Sequence, residues 1–365
     1  MPRTKKLKIA TMVTSHYPTP APKGVIYAPM DIAIELTEGL SAKGHKIDFF
    51  GSKGTKVPGA NRIIDCGLEP LLGKKGQKIL EGYGSQNIER GKIFGLWDQH
   101  VIARMFQEAK KRKYDLLHIH PIDRALPIAA ACPDIKVAYT IHDPIFPWRA
   151  DIFKMMQTPN QKFISISKSQ RKPAPNLNYL GTVYNGIKLD EFKYSGSGGT
   201  DLLFVGRITP EKGVAEAVEA AVKAKHKLTI IGPASPSEYW DKNIKPHIGK
   251  EVTHINYVPR KSLSKYYRQA KAVLFPIRWE EPFGLVMTEA MACGTPVIGF
   301  RRGSVPEVIK DGKTGFIVDD VNGMVDAIKK IDLISRAACR KHVEDNFSTK
   351  KMVEEYEKAF LRFVK

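Results

Sequence analysis

The stretch Trp279-Glu280-Glu281-Pro282-Phe283-Gly284-Leu285-Val286-Met287-Thr288-Glu289-Ala290-Met291-Ala292-Cys293-Gly294-Thr295-Pro296-Val297-Ile298-Gly299-Phe300 decides the reading of this chain. Just upstream, the apolar run from Ala272 to Ile277 has the composition of a buried strand. Pro282-Phe283-Gly284 then breaks the extended backbone, and Leu285 to Cys293 is rich in helix formers. Strand, turn and helix N-terminus are therefore predicted in succession. Free backbone N–H groups at such a terminus favour an anionic ligand. Glu281 and Glu289, with seven residues between them, can accept hydrogen bonds from vicinal hydroxyls. A phosphorylated, hydroxyl-rich ligand such as a nucleotide sugar meets both demands.

Working outward, short β-rich runs alternate with helical spacing through both halves of the chain. In the first half they are Lys8 to Thr14, Lys46 to Gly51, Leu116 to His120, Val137 to His142 and Phe163 to Ser167. Met30 to Ala42 and Leu96 to Lys113 lie between them with helical periodicity. The pattern Leu96, Val101, Ile102, Met105 and Phe106 marks one apolar face. After the Gly-Ser-rich stretch Ser195 to Gly199 a second series begins: Leu202 to Val205, Leu228 to Ile231, His254 to Val258, Ala272 to Ile277, Val297 to Phe300 and Phe316 to Val318. Such alternation predicts an α/β protein with two doubly wound parallel sheets. The expected domains are residues 1–190 and 197–348, followed by an amphipathic helix over 349–365 with Met352, Tyr356, Phe360 and Phe363 near one stripe.

The second motif is Phe204-Val205-Gly206-Arg207-Ile208-Thr209-Pro210-Glu211-Lys212-Gly213. A strand ends at Gly206, where backbone can approach a ligand closely, and Pro210 is expected to open the next helix. Arg207 as a forked donor and Lys212 as a point charge suit a diphosphate. Taken alone, a surface Arg and Lys serve solubility.

Together the two motifs, extended by Gly303, Pro306-Glu307 and Thr314-Gly315, resemble the signature of the retaining glycosyltransferases of family 4. The resemblance is dense over 201–320 and sparse over 1–190. Within the family, the wording around Phe275 to Gly284 and Phe300 to Glu307 is similar to bacterial UDP-glucose:tetrahydrobiopterin glucosyltransferase-like proteins. The resemblance implies the GT-B fold, with two Rossmann-like domains and a C-terminal helix crossing back to the N-terminal one. It also implies transfer of a hexose, glucose by this likeness, from a UDP-linked donor to an unidentified acceptor hydroxyl. His142, Arg207, Lys212 and Glu281 are the implied catalytic residues. Gly206, Phe283, Gly284, Leu285 and Glu289 are the implied donor contacts, with Glu289 on the ribose hydroxyls. Family members usually carry a Gly-Gly pair after the first strand. Here that place falls near Tyr27-Ala28-Pro29, with Gly24 a few residues early, and the Tyr27 side chain becomes a candidate for the acceptor pocket.

No cofactor is expected. No metal is expected either, because Arg207 and Lys212 supply the cations and no Asp-x-Asp pair is placed to hold one. Asp319-Asp320 reads as a strand-end cap. His118 and His120 alternate on one strand face and read as packing or cleft lining without a third closely spaced ligand. A chain of 365 residues with 42% hydrophobic and 26% charged residues is globular and large enough for two cores. Its four scattered cysteines read as reduced packing residues. No signal peptide or apolar span is recognised, so the cytoplasm is the expected compartment.

The net charge of +20 leans towards the first half, with clusters at Lys74-Lys75-Lys78 and Lys110-Lys111-Arg112-Lys113. Its field suits an anionic membrane surface, acidic substrates or simple solubility, and peripheral attachment at the inner membrane face stays open. No interleaved aromatic-basic pattern or zinc-finger spacing points to nucleic acid. An epimerase of the same fold and a noncatalytic nucleotide-sugar-binding protein are the alternatives to a transferase. A nicotinamide dehydrogenase is disfavoured because Ile9 to Pro18 has no Gly-x-Gly-x-x-Gly.

Overall fold

The computed structural model describes residues 5–22, 25, 27–72, 87–234 and 236–365. Gly24 and the Lys74-Lys75-Lys78 cluster lie outside them. The chain divides into two compact units: Met1–Ile166 with Arg171–Val183 and Met352–Lys365, and Ser167–Gln170 with Tyr184–Lys351.

In the first unit the order is β1 Lys8–Met12, α1 Ala28–Ala42, β2 Lys46–Phe50, β3 Arg62–Ile64, α2 Asn87–Arg112 and β4 Leu116–Ile119. It continues with α3 Ile122–Ala130, β5 Val137–Ile141, α4 Pro147–Met156, β6 Gln161–Ser165 and β7 Tyr179–Thr182. The strands form one sheet in the order β3-β2-β1-β4-β5-β6-β7. Every pairing in it is parallel. Its central strands are buried on both faces, which is why they read as continuous apolar runs. From α2, Val101, Ile102, Met105 and Phe106 enter the core beside Leu117, Ile119 and Tyr139. Leu96, expected on that face, is instead 60% exposed. Lys110, Lys111 and Arg112 occupy the last turn of α2, where cations meet the negative end of the helix dipole.

The second unit runs β8 Leu202–Val205, α5 Val214–Lys223, β9 Leu228–Ile231, α6 Glu238–Asn243, β10 Val252–Ile255, α7 Arg260–Gln269 and β11 Ala272–Phe275. It continues with α8 Leu285–Ala292, β12 Val297–Phe300, α9 Val305–Val308, β13 Gly315–Val318, α10 Val321–Lys330 and α11 Arg336–Asn346. Its sheet, β10-β9-β8-β11-β12-β13, is also parallel throughout. Two local expectations are corrected. Pro210 opens a separate 3₁₀ turn, Pro210–Lys212, and only after Gly213 does α5 begin. Asp320 is not a strand-end cap but the N-cap of α10, its Oδ1 accepting from Gly323 N–H at 2.8 Å. Only two residues separate β13 from α10, so Asp320 falls where the helix's orphan donors need an acceptor. Asp319 pairs with Arg301 at 3.1 Å.

The last helix, α12 Thr349–Val364, buries Met352, Tyr356 and Phe360. Residues 352–365 belong to the first unit. Tyr356 Oη lies 2.9 Å from Thr140 Oγ1 on β5. Glu357 accepts from Lys43 Nζ at 2.8 Å and from His45 Nε2 at 3.0 Å. His45 Nδ1 accepts from Leu7 N–H at 3.0 Å, which puts the ring hydrogen on Nε2. Each large apolar side chain buried here is worth about 1.5–3 kcal/mol. Among the described residues no helix is long and apolar enough to cross a membrane.

Candidate functional site

The second sheet reverses its winding at β8, which lies between β9 and β11. Connections leaving the carboxyl ends of strands at such a reversal run to opposite faces and open a crevice. Gly206-Arg207 follows β8 and Trp279-Glu280-Glu281 follows β11, so both sequence motifs fall at the same strand ends.

Lys212 and Glu281 meet there. Lys212 Nζ lies 2.6 Å from Glu281 Oε2, with the side chains 17% and 13% exposed. Trp279 Nε1–H donates to the same oxygen at 2.9 Å. The ammonium also lies 4.7 Å from the Trp279 ring centroid, within cation–π range. Glu281 Oε1 accepts from no described residue. The pair is thus a carboxylate with one oxygen committed and one oxygen available.

Two glycines fix this geometry. Gly213 has φ +72, and a Cβ on it would collide with the Pro276 carbonyl oxygen, so the turn carrying Lys212 packs directly on the end of β11. Arg278 N–H donates to Glu211 O at 2.9 Å and ties the same two loops. Gly303, with φ +53, lies against the backbone of Glu281, where a Cβ would strike both its N and its O. Ser304 N–H then donates to Glu281 O at 3.0 Å, and Gly303 N–H to Glu280 Oε2 at 2.9 Å.

The other expected residues of the second unit lie on neighbouring segments. Gly206 N–H donates to Ile231 O at 2.9 Å, anchoring the end of β8. Arg207 is 61% exposed and lies 3.8 Å from Glu211. Burial alone would raise the Glu211 carboxyl, but its own backbone N–H and the charges of Arg207 and Lys212 outweigh it and hold the group low. Phe283 is buried, and its carbonyl accepts from Ser304 Oγ at 2.7 Å. Gly284 is the N-cap of α8 and Leu285 its first residue. No side chain caps this terminus, which leaves its donors to other acceptors. Glu289 shares no hydrogen-bond partner with Glu281. It is buried, with Oε1 accepting from Arg260 Nε and Oε2 from Tyr267 Oη, each at 2.9 Å. Burial and the Glu289 charge push the Tyr267 phenol well above its ordinary value, so it stays a donor.

In the first unit, His142 follows β5 and is half-buried. Burial, helped by the Arg149 guanidinium, lowers its imidazole to about 3. His120 Nδ1 lies 2.6 Å from His142 Nε2. His118 is buried, with Nε2 2.8 Å from Thr140 Oγ1. Tyr27 immediately precedes α1 and is 37% exposed; burial and the nearby carboxylates of Asp143 and Asp98 raise its phenol.

Sequence alone does not mark Trp279, Arg260, Tyr267 and His120 as partners of the expected residues. Trp279 carried a signal, since it stands two residues from Glu281. The others come from distant segments, and spacing does not reveal them. Among the described residues no group of three or more His, Cys, Asp or Glu is arranged to hold a metal ion. A hollow of about 380 Å³ lined by Ser195, Ser197, Gly199, Lys265, Arg268 and Gln269 touches neither Lys212 nor Glu281 and holds no carboxylate.

Residues 189–344 match the family model described as Glycosyl transferases group 1. An uncharacterized glycosyltransferase of Methanocaldococcus jannaschii is 30% identical over 199 residues, 53% of this chain and 55% of that protein. Sucrose-phosphate synthase from Thermosynechococcus elongatus has the same fold, with a TM-score of 0.70 at 19% identity over 97% of this chain and 98% of its own. So has an Anabaena protein solved in complex with UDP and glucose, with a TM-score of 0.67 at 15% identity over 96% and 98%. The loops that carry Lys212 and Glu281 lie inside the matched segment, and the chain is a glycosyltransferase with the GT-B fold.

Proposed function

We propose that this enzyme moves a hexose, glucose for preference, from a UDP-linked donor to an acceptor hydroxyl, with retention at the anomeric carbon and without a metal ion. The observation that carries the reading is the Lys212–Glu281 pair of 2.6 Å beside a helix N-terminus with no side-chain cap. A diphosphate competes with Glu281 for the ammonium and accepts from the first-turn N–H groups of α8. Glu281, released, turns both oxygens to sugar hydroxyls. Arg207 adds a second cation to the diphosphate, and His142 contacts the donor sugar. Glu289 has lone pairs beyond those used by Arg260 and Tyr267, which suit it to the ribose. Residues 197–348 bind the donor and residues 1–190 the acceptor, with Tyr27 in the acceptor pocket.

In the reaction the bond from the anomeric carbon to the β-phosphate oxygen breaks. The acceptor oxygen bonds to that carbon on the same face, and the departing phosphate oxygen takes the acceptor proton. Fixed cations stabilise the charge that develops on the diphosphate, the largest lever available to such a site. UDP and glucose are favoured by the bound ligands of the Anabaena neighbour and by the likeness to tetrahydrobiopterin glucosyltransferase-like proteins. Four free thiols fit a reducing cytoplasm. The basic surplus suits attachment to an anionic inner membrane face.

Calorimetry with UDP, GDP, ADP and their sugars, followed by mass spectrometry of donor turnover, tests the reading. Tightest binding to UDP-glucose and release of glucose from UDP are expected. No binding to any of the panel refutes it, and a sugar converted while still attached to its nucleotide marks an epimerase instead.

A further inference from the structure

His120 and His142 follow the neighbouring strands β4 and β5, and their geometry constrains where the protons sit. The ring planes are within 7° of parallel and the centroids are 4.9 Å apart. Rings stacked face to face could not bring His120 Nδ1 within 2.6 Å of His142 Nε2. They therefore lie edge to edge in nearly one plane, the arrangement in which an N–H meets an in-plane lone pair. Burial keeps both imidazoles neutral, so one nitrogen of the pair donates and the other accepts.

Two arrangements are possible. If His142 Nε2–H donates, His120 carries its own hydrogen on Nε2, which is buried and has no hydrogen-bond partner among the described residues. If His120 Nδ1–H donates, that buried Nε2 bears only a lone pair. A buried N–H without an acceptor is the costlier of the two. His118 packs against His120 with ring centroids 4.5 Å apart and is itself held by Thr140, so the His120 ring has a fixed seat.

We propose that His120 is a positioning residue that holds His142 in the tautomer with hydrogen on Nδ1, so that His142 meets substrate as a hydrogen-bond donor and not as a base. The proposal rests on the reading that His142 contacts the donor sugar. It agrees with a reaction in which the departing phosphate, and no side chain, removes the acceptor proton.

Nitrogen-15 spectra of histidine-labelled full-length protein at neutral pH report each ring's tautomer without substrate. A hydrogen on His142 Nδ1 and a bare Nε2 are expected. His120→Phe should shift His142 towards the Nε2–H form and lower kcat roughly tenfold, with KM changed less than about twofold. His120→Asn, whose amide nitrogen reaches the Nδ1 position, should restore both the tautomer and most of the rate. A hydrogen on His142 Nε2 in the unaltered protein overturns the proposal, whether or not the variants fold. So does a His142 tautomer that His120→Phe leaves unchanged. Failure of every nucleotide sugar to turn over would sink the functional reading on its own, since the spectra are independent of it.

Discussion

Lys212 is held by an ion pair, a cation–π contact and the backbone of the turn that carries it. On the proposed reading the ion pair gives way when a diphosphate arrives, while the Trp279 ring and the turn still hold the ammonium in place, which is the condition for a fixed charge to act in a transition state. Lys212→Ala should therefore lower kcat/KM by about 10²–10³-fold, the range seen when one preorganised electrostatic donor is removed. Lys212→Arg should recover part of the loss, because charge is kept while the point-charge geometry is not. Initial rates of donor turnover check both, and a Lys212→Ala enzyme within about twofold of the unaltered rate would exclude Lys212 from leaving-group stabilisation. Gly213→Ala acts through the same turn by another route. It combines φ +72 with a collision at Pro276 O, so a loss of roughly 2 kcal/mol or more and a fall in Tm of several degrees are expected. A thermal melt measures it.

At the scale of elements, β8, β9 and β12 are legible to the residue, because buried parallel strands are short apolar runs between turn signals. The edge strands β3 and β7 escape notice for the converse reason: Arg62–Ile64 is half-exposed with no apolar run, and Tyr179–Thr182 contains Gly181. Pro127 inside α3 likewise hides a helix behind a residue that ordinarily ends one. That Lys212 and Glu281 fall together is legible, because their loops follow the carboxyl ends of β8 and β11, which pair side by side in the sheet. The burial of Glu289 is not, since it depends on Arg260 and Tyr267 reaching it from α7.

The docking of α12 makes a pH prediction. Burial alone would raise the Glu357 carboxyl, but hydrogen bonds from Lys43 and His45 outweigh it and hold it below the usual range. A lowered folded value stabilises the protein above the unfolded pKa of about 4.3, and the contribution is lost as pH falls through the folded value. Glu357→Gln should thus cost about 1 kcal/mol at neutral pH. The difference should shrink as pH falls below about 4.3 and vanish in acid below the lowered folded value. Urea unfolding at both pH values decides it, and a difference that persists in acid would mean that packing, not charge, is what the carboxylate supplies.

For the whole molecule the governing quantity is the net charge of +20. Exposed cations such as Lys110, Lys111 and Arg112 at the end of α2 are solvated, so their attraction to a surface is long-ranged and screened by salt. Each basic side chain close to an anionic bilayer contributes about 1 kcal/mol, and a handful acting together suffices for reversible attachment without any inserted helix. The full-length protein should therefore co-sediment with phosphatidylglycerol-containing vesicles at about 0.02 M salt. It should be released near 0.5 M, where the screening length falls to about 4 Å. Vesicles of neutral phosphatidylcholine should leave it in the supernatant at both salt concentrations. Retention at high salt would point to apolar insertion in place of electrostatics. Recovery in the supernatant under every condition would assign the basic surface to solubility and to the anionic donor alone.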